Sequence, residues 1–277
     1  MINIRHFIGH IKRCIWKWHI ERSWVVDARK MRALIKPQEY FSIKKSARVL
    51  ILAPHSDDEW IGCSQIIINC PNTTICSMEM EGGDDISKHL ERINEMRNVA
   101  NFFSLELLTI SSDKQQSLIS IIKKLSPEYI CVPSIYDWHP EHIQVIDYLK
   151  EAILQLEYKG KVLSYQVSVP MPISLCHVAS PMSFEDQKYK WDIFSEYYKT
   201  QAFMPVLRFK KQEEINGAIC EAFSAEVYSC HDAQEWIRYV SSANLGHDEI
   251  LLIKSNLNNI SAIRTIAENI FKTKETN

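Results

Sequence analysis

Near residue 50 the sequence reads Arg48-Val49-Leu50-Ile51-Leu52-Ala53-Pro54 and continues as His55-Ser56-Asp57-Asp58-Glu59. The first part is short and almost wholly apolar, which is typical of a strand buried on both faces of a sheet. The second part is polar and begins where that strand ends. A helix is predicted to follow over residues 59–69, so this region has the order strand, loop, helix.

The same alternation continues along the chain. Further strands are predicted over 73–78, 105–110, 129–133 and 161–169, and helices over 86–103, 114–125, 141–154, 184–201 and 212–228. The tail from residue 247 is predicted to form a short strand and a final helix. Strands and helices that alternate indicate βαβ units. We therefore expect a Rossmann-like α/β fold, with a mostly parallel sheet, helices on both faces and its chemistry at the carboxyl ends of the strands.

The composition excludes several classes of protein. The chain has 277 residues, of which 46% are hydrophobic and 24% charged, so it is predicted to be globular rather than disordered or coiled-coil. With only 7 glycines it lacks the Gly-rich loop of a dinucleotide or P-loop site. No apolar run is long enough for a membrane span, and no secretion signal is recognisable.

The cysteines indicate a reducing compartment. Eight are present, but they are scattered and form no Cys-x-x-Cys pair, so we expect buried thiols rather than disulfides. The predicted location is the cytoplasm, with peripheral contact at the inner face of the membrane as a further expectation.

The charge distribution separates residues 1–48 from residues 49–277. The first segment carries 12 Lys+Arg against 3 Asp+Glu, a net charge of +9, and the remainder carries 20 against 31, a net charge of −11. Apolar residues in the first segment recur at helical spacing, which predicts a basic amphipathic helical arm; they are Ile4, Phe7, Ile8, Ile11, Ile15 and Trp18.

Two positions for this arm are open. It can dock on the domain and leave its lysines in water, or it can lie on a membrane, where Trp16, Trp18 and Trp24 suit the boundary between headgroups and acyl chains. Nucleic acid is not expected as a partner, because no recognised nucleic-acid module follows the arm.

The loop after the first strand carries the residues His55, Asp57, Asp58 and Glu59. Carboxylates this close repel one another, so such a cluster usually holds a cation. One histidine nitrogen and one carboxylate oxygen can supply two of the three protein ligands of a catalytic zinc ion. Taken alone, Asp57-Asp58 would more often be a helix N-cap pair.

The other dense cluster is Asp137-Trp138-His139-Pro140-Glu141-His142, which follows the predicted strand at 129–133. Two histidines three residues apart at the start of a helix can point into one site. The two clusters together predict a metal site at neighbouring strand ends.

These motifs carry a resemblance to a known family. The Pro-His-x-Asp-Asp-Glu sequence after the first strand and the later His-Pro-Glu-His resemble the PIG-L/LmbE-like zinc-dependent de-N-acetylases. Arg92-x-x-Glu95, Tyr198 to Gln201 and Ala225-Glu226-x-Tyr228 resemble further elements of that family. The resemblance spans residues 49–228 and leaves the basic segment outside.

The resemblance implies roles for individual residues. His55, Asp58 and His142 are the implied ligands of Zn²⁺, with Fe²⁺ as the alternative metal. Asp57 is the implied general base, and His139 assists at the oxyanion or the leaving group. The remaining assignments are Arg92 as a substrate contact, and Glu59 and Glu141 as carboxylates that support the ligands from behind.

Two positions depart from the family pattern. Ser56 replaces the usual Pro and loosens the backbone there, while Glu141 replaces the usual Asp and keeps the carboxylate. Neither change removes a ligand.

The resemblance implies hydrolysis of an N-acetylated amino sugar, most often an N-acetylglucosamine conjugate, to acetate and a free amine. The basic, aromatic arm suggests a lipid-linked or surface-polysaccharide precursor, and a soluble sugar conjugate is the alternative. Two other hypotheses are a metal-dependent hydrolase of another amide or of a phosphoester, and a catalytically idle member that binds a partner.

Overall fold

The computed structural model describes residues 4–80 and 86–275, without the side chains of residues 4–11, 13, 86 and 275. The strands of this part of the chain are β1 (Val49–Ala53), β2 (Thr73–Ser77), β3 (Glu106–Thr109), β4 (Tyr129–Pro133), β5 (Lys161–Tyr165), β6 (Val178–Met182) and β7 (Ser224–Asp232). They form one sheet in the order β3-β2-β1-β4-β5-β7-β6. Strands β1 to β5 pair in parallel, and β7 is antiparallel to both β5 and β6.

The helices surround this sheet. They are α1 (Ile4–Leu34), α2 (Asp58–Asn69), α3 (Ile86–Phe102), α4 (Lys114–Leu125), α5 (Pro140–Leu156), α6 (Phe184–Tyr197), α7 (Val206–Asn216), α8 (Ala233–Ser242), α9 (His247–Ser255) and α10 (Ile260–Glu275). Separate apolar clusters pack against the sheet strands, and one of them contains Leu50 and Leu52 while another contains Val49 and Ile51. The expected mostly parallel α/β fold is confirmed.

The centre of the sheet is where its chain order reverses. The chain passes from β1 to β2 and β3 on one side, and β4 then pairs with the other edge of β1. Every residue of β1 is buried. Such a reversal leaves a crevice at the carboxyl ends of the two strands, and loops that follow β1 and β4 line it.

The prediction of a helix over 212–228 is wrong in its second half, where the chain turns and enters β7. Helix α7 ends at Asn216, and the chain turns through Glu221, whose φ of 55° is left-handed, before β7 begins. A Cβ added to Gly217 would lie 2.7 Å from the Ala222 carbonyl oxygen, so the chain doubles back tightly at this glycine. Sequence periodicity does not detect such a reversal.

The strand predicted near residue 250 is also wrong. The apolar run there belongs to α9, in which Ile253 is buried while Leu251 and Leu252 are about half exposed. The carboxylate of Glu249 accepts a hydrogen bond from the Gly246 amide at 2.7 Å and caps the start of this helix. The prediction also missed β6 and α8.

The basic N-terminal segment forms α1, and the second half of this helix lies against the rest of the protein. Trp24 and Ala28 are buried with Ile215 and Ile260, and Trp24 Nε1 donates to the Asn258 carbonyl at 2.7 Å. The Arg32 guanidinium donates to the carbonyls of Glu214, Ala222 and Phe223. Side chains at Ile15, Trp16 and Trp18 are exposed, and those of Ile4, Phe7, Ile8 and Ile11 lie outside the described residues.

None of the eight cysteines is in a disulfide, and five of them are buried. No helix among residues 4–80 and 86–275 combines the length and the apolar character that a membrane crossing requires.

Candidate active site

The two polar clusters meet at the centre of the sheet. His55 and Asp57 lie in the loop between β1 and α2, while Asp137 and His139 lie in the loop between β4 and α5. Because β1 and β4 are neighbours, these loops share one edge of the sheet. Asp57 has a φ of 150°, a backbone conformation that L-residues rarely adopt. Strain of this kind costs about 1–3 kcal/mol and is concentrated at functional sites.

Three side-chain atoms converge in this crevice. His55 Nδ1 lies 3.1 Å from Asp58 Oδ2, and His142 Nε2 lies 3.2 Å from each of these atoms. Asp58 and His142 are buried, and the His55 side chain is 12% exposed. The three atoms form a nearly equilateral triangle that faces the cleft.

This triangle has the dimensions of a metal site. Ligand atoms at 2.0–2.1 Å from a tetrahedral zinc ion lie roughly 3.3 Å apart, and two nitrogens with one carboxylate oxygen are a common donor set for catalytic zinc. His139 offers a second arrangement, because ring nitrogens of His55, His139 and His142 lie within 4.8 Å of one another. The chain can therefore hold a metal ion here, with either Asp58 or His139 beside the other two histidines.

Neighbouring charges shift the pKa values of His142 and Asp58. Burial lowers the pKa of His142, but the carboxylates of Asp58 and Asp137 outweigh burial and raise that pKa well above its usual value. Burial raises the pKa of Asp58, yet His142 and His55 together hold that pKa well below its usual range. The Asp58 carboxylate is therefore ionised, which is the form that a cation binds.

Two further carboxylates hold the histidines in position. Glu141 Oε2 lies 2.7 Å from His55 Nε2 and 3.1 Å from His139 Nδ1. Asp137 Oδ2 lies 3.5 Å from His142 Nδ1 and accepts a hydrogen bond from the Ser168 amide at 3.0 Å. Carboxylates behind metal-binding histidines fix ring orientation and raise ligand basicity.

Asp137 is a residue whose role the sequence interpretation missed. It is buried, and its Oδ1 also accepts from the His139 amide at 3.1 Å. The signal was available, since Asp137 lies in the polar cluster after β4. Sequence spacing could not show whether Asp137 or Glu141 faces a given histidine.

Asp57 lies beside the triangle but is not one of its corners. Its side chain lines the cleft, and Oδ1 lies 3.8 Å from Arg92 Nη2. Burial and the adjacent Asp58 raise the pKa of Asp57 well above its usual value, while Arg92 opposes that rise. The side chains of Arg92 and His139 line the same cleft.

Glu59 points away from the cleft into the interior. It accepts a hydrogen bond from the Tyr198 hydroxyl, and its Oε2 accepts from the Asp57 amide at 3.1 Å. Burial raises the pKa of Glu59 to about 8, although the bond from Tyr198 lowers it. Glu59 therefore holds the strained Asp57 backbone from behind.

A turn of 3₁₀ helix at Lys199–Gln201 closes one side of the cleft. With its amide oxygen turned toward Arg92, Gln201 accepts from Arg92 Nε at 2.7 Å and Nη2 at 3.0 Å. Glu95, one turn along α3 from Arg92, accepts from the Thr200 amide at 2.9 Å. These contacts fix Arg92 at the rim of a cleft of about 440 Å³.

A buried ion-pair network supports α2 where its helical geometry is interrupted. Cys63 has non-helical dihedral angles of −134° and 22°, and Lys190 Nζ donates to the Ile61 carbonyl at 2.7 Å. The Gln65 amide donates to Glu226 Oε2 at 2.9 Å, and Lys190 Nζ also lies 2.6 Å from Glu226 Oε1. In a regular helix the Ile61 carbonyl and the Gln65 amide would bond to each other. The ion pair therefore bonds to backbone groups on both sides of this interruption.

No protein-family model matches the chain, and no curated protein matches it in sequence.

Several solved structures share the fold. The N,N′-diacetylchitobiose deacetylase from Pyrococcus horikoshii is 16% identical, with a TM-score of 0.56, over 69% of this chain and 86% of that one. A conserved protein from Thermus thermophilus is 18% identical, with a TM-score of 0.53, over 66% of this chain and 94% of that one. A deacetylase of the teicoplanin biosynthesis pathway, solved with teicoplanin, is 12% identical, with a TM-score of 0.51, over 68% and 99% of the two chains. The likeness is one of fold, and two of these three structures are of deacetylases.

Proposed function

We propose that this protein is a metal-dependent hydrolase that removes the acetyl group from an N-acetylated amino sugar and releases acetate and a free amine. The observation that carries the proposal is the convergence of His55 Nδ1, Asp58 Oδ2 and His142 Nε2 beside the carboxylate of Asp57. The resemblance to PIG-L/LmbE-like de-N-acetylases and the fold shared with two deacetylase structures support it.

In this proposal His55, Asp58 and His142 hold one divalent ion, most simply Zn²⁺, with Fe²⁺ as the alternative. Such an ion would polarise the acetyl carbonyl and lower the pKa of water toward about 7. Glu141 and Asp137 keep the ligand rings oriented through the contacts described above.

The residues around the triangle divide the proton transfers. Asp57 takes a proton from the water that attacks the acetyl carbon, because its carboxylate lies in the cleft next to the ligands without being one of them. His139 donates a hydrogen bond to the oxygen that gains charge. When the C–N bond breaks, the proton held by Asp57 passes to the departing nitrogen, which leaves as the amine.

The substrate class is proposed from the same cleft. A volume of about 440 Å³ admits a sugar ring, and Arg92 at the rim donates to its hydroxyls. The similar structure from Pyrococcus horikoshii is that of an N,N′-diacetylchitobiose deacetylase, which favours an N-acetylglucosamine conjugate as the substrate of this protein. The test is release of acetate from N-acetylglucosamine glycosides, with p-nitrophenyl phosphate as the comparison substrate. Acetate release without phosphate release is expected, and the opposite result would assign the site to phosphoester hydrolysis.

Replacing single ligands tests which residues bind the metal. After loading with zinc and dialysis to remove unbound metal, Asp58→Ala is expected to contain no zinc, whereas His139→Ala keeps one equivalent. The reason is that the Asp58 oxygen lies at a ligand-to-ligand distance from both His55 and His142. Metal analysis of the two purified variants gives the answer. Metal retained in Asp58→Ala but lost in His139→Ala would instead assign the set of three histidines.

We further propose that the first part of α1 contacts an anionic bilayer. Residues 1–48 carry a net charge of +9, and the exposed fractions of Ile15 and Trp18 are 52% and 53%. Each basic residue near such a surface contributes about 1 kcal/mol, a term that salt weakens.

Vesicle flotation tests this contact. The full chain is expected to float with vesicles containing phosphatidylserine at low salt and to float less at high salt. The double variant Ile15→Ser/Trp18→Ser should not float, whereas Val26→Ser, on the same helix, serves as the matched control. A full chain that stays at the bottom of the gradient at low salt would contradict the proposal.

A further inference from the structure

The first turn of α7 carries a buried arginine. Arg208 is the third residue of this helix, and 4% of it is exposed. A cation there faces the positive end of the helix dipole, and burial removes it from water, so both effects disfavour the charge. Burial lowers the pKa of Arg208 to about 10, which leaves the guanidinium charged at neutral pH. A buried cation in this position needs compensation from its neighbours.

Two groups at the candidate active site supply that compensation. Arg208 Nη2 donates a hydrogen bond to the carbonyl oxygen of Ser168, a residue that lines the cleft. The Asp137 carboxylate attracts the guanidinium and raises the pKa of Arg208 against the effect of burial. Asp137 is itself 1% exposed, so the two opposite charges stabilise each other where water screens them little.

Ser168 connects the two charges. Its carbonyl accepts from Arg208, and its amide donates to Asp137 Oδ2 at 3.0 Å. The same carboxylate oxygen lies 3.5 Å from His142 Nδ1, whereas His142 Nε2 is the atom that belongs to the metal triangle. A continuous series of contacts therefore runs from α7, through the loop after β5, to the back of a proposed metal ligand.

Helix α7 is joined to that loop along one face. Arg208, Gln212 and Asn216 are spaced four residues apart, and all three are buried. Gln166 Nε2 donates to Gln212 Oε1 at 3.0 Å, and Asn216 Nδ2 donates to Gln166 Oε1 at 3.4 Å. Because residues at this spacing share one face of a helix, these bonds hold the face that presents Arg208 to Ser168.

We infer that Arg208 is a positioning residue that holds the Asp137 carboxylate beside His142 Nδ1 and thereby strengthens metal binding by His142 Nε2. The inference rests on the proposed function and adds to it a residue of α7 that acts through Ser168 and Asp137. Replacing the partners of metal-bound histidines typically lowers metal affinity about 10- to 100-fold. Arg208 lies one contact further from the metal than Asp137, so we expect an effect at the lower end of that range.

The experiment measures the dissociation constant of zinc for the full chain, by competition with a chelator. Arg208→Met and Arg208→Gln both remove the charge, so the result does not depend on the folding of one variant. Each should weaken zinc binding about tenfold. Arg208→Lys, which retains a positive charge and a donor for the Ser168 carbonyl, should bind zinc within about threefold of the unmodified protein.

A second buried arginine provides the matched control. Arg264 is 1% exposed, and its Nη2 donates to Asn216 Oδ1 at 2.7 Å, at the other end of α7. Arg264→Gln should leave zinc affinity unchanged even if it lowers the free energy of unfolding. A loss of zinc affinity in Arg264→Gln equal to that in Arg208→Gln would overturn the positioning role, because any buried arginine would then have the same effect.

A double variant tests whether Arg208 acts through Asp137. Asp137→Asn alone is expected to weaken zinc binding about 10- to 100-fold. Arg208→Gln/Asp137→Asn should then bind zinc no more weakly than Asp137→Asn, since residues that act through one another are not additive. Losses that add in the double variant, or unchanged zinc affinity in both Arg208→Met and Arg208→Gln, would overturn the inference.

Zinc binding and acetate release separate this inference from the proposed function. The expected differences in zinc affinity without acetate release would support the role of Arg208 and overturn the proposed deacetylase activity. Acetate release from an N-acetylglucosamine glycoside, with the same zinc affinity in every Arg208 variant, would support the activity and overturn the role of Arg208. No zinc binding by the unmodified chain would overturn both.

Discussion

The Lys190→Met variant is expected to lose about 3–5 kcal/mol in free energy of unfolding. Lys190 is fully buried, and its Nζ lies 2.7 Å from Glu213 Oε1 and 2.6 Å from Glu226 Oε1. Removing the ammonium leaves the Ile61 carbonyl without its donor and two buried carboxylates without a cation, since their other hydrogen-bond partners are neutral groups. Uncompensated buried charge accounts for most of the loss, because methionine replaces nearly all of the packed volume.

Chemical denaturation followed by circular dichroism measures this loss. Lys188→Met is the matched control, since Lys188 lies on the same helix and pairs with Asp192 at the surface, where the lysine side chain is 62% exposed. Such a pair contributes at most about 1 kcal/mol. Equal unfolding free energies for the two variants would contradict the importance assigned to the buried network.

The Asp57→Asn variant is expected to keep its metal and to lose about 10²- to 10⁴-fold in turnover of an N-acetylglucosamine glycoside. Asparagine retains the size of the side chain in the cleft but cannot take the proton from water. Asp57 is outside the triangle of His55, Asp58 and His142, so zinc content should stay at that of the unmodified protein.

Metal analysis and acetate release on the same preparation separate the two effects. Asp192→Asn, an exposed aspartate remote from the cleft, is the control for handling and folding. Loss of zinc from Asp57→Asn, or turnover within about threefold of the unmodified protein, would remove the base role from this residue.

The sequence predicted the part of the fold that local patterns encode. The apolar strand at 49–53 and the helices that alternate with strands up to β5 were recognisable because each has its own periodicity. The turn at Gly217 and the antiparallel strand β7 were missed, since a helical pattern runs into them without an apparent break. That reversal depends on the close approach of Gly217 to Ala222 and Ser224 in three dimensions.

For the candidate site, the sequence motifs predicted the residues but not all of the contacts between them. The motifs named His55, Asp57, Asp58 and His142, and the structure brings these residues to one edge of the sheet. It also shows Asp137 behind His142, a contact that depends on the path of the loop after β4.

The network of Lys190, Glu213 and Glu226 joins three different elements, α6, α7 and β7. No single segment reveals this pairing, because each charged residue alone would be predicted to lie at the surface.

The most direct test of the central claim is a zinc titration of the chelator-stripped protein, with bound metal and acetate release measured in the same samples. The proposal predicts that acetate release from an N-acetylglucosamine glycoside rises in proportion to bound zinc and stops rising at one equivalent per chain. Full activity in the stripped protein, or no acetate release at any zinc or iron(II) occupancy, would contradict it.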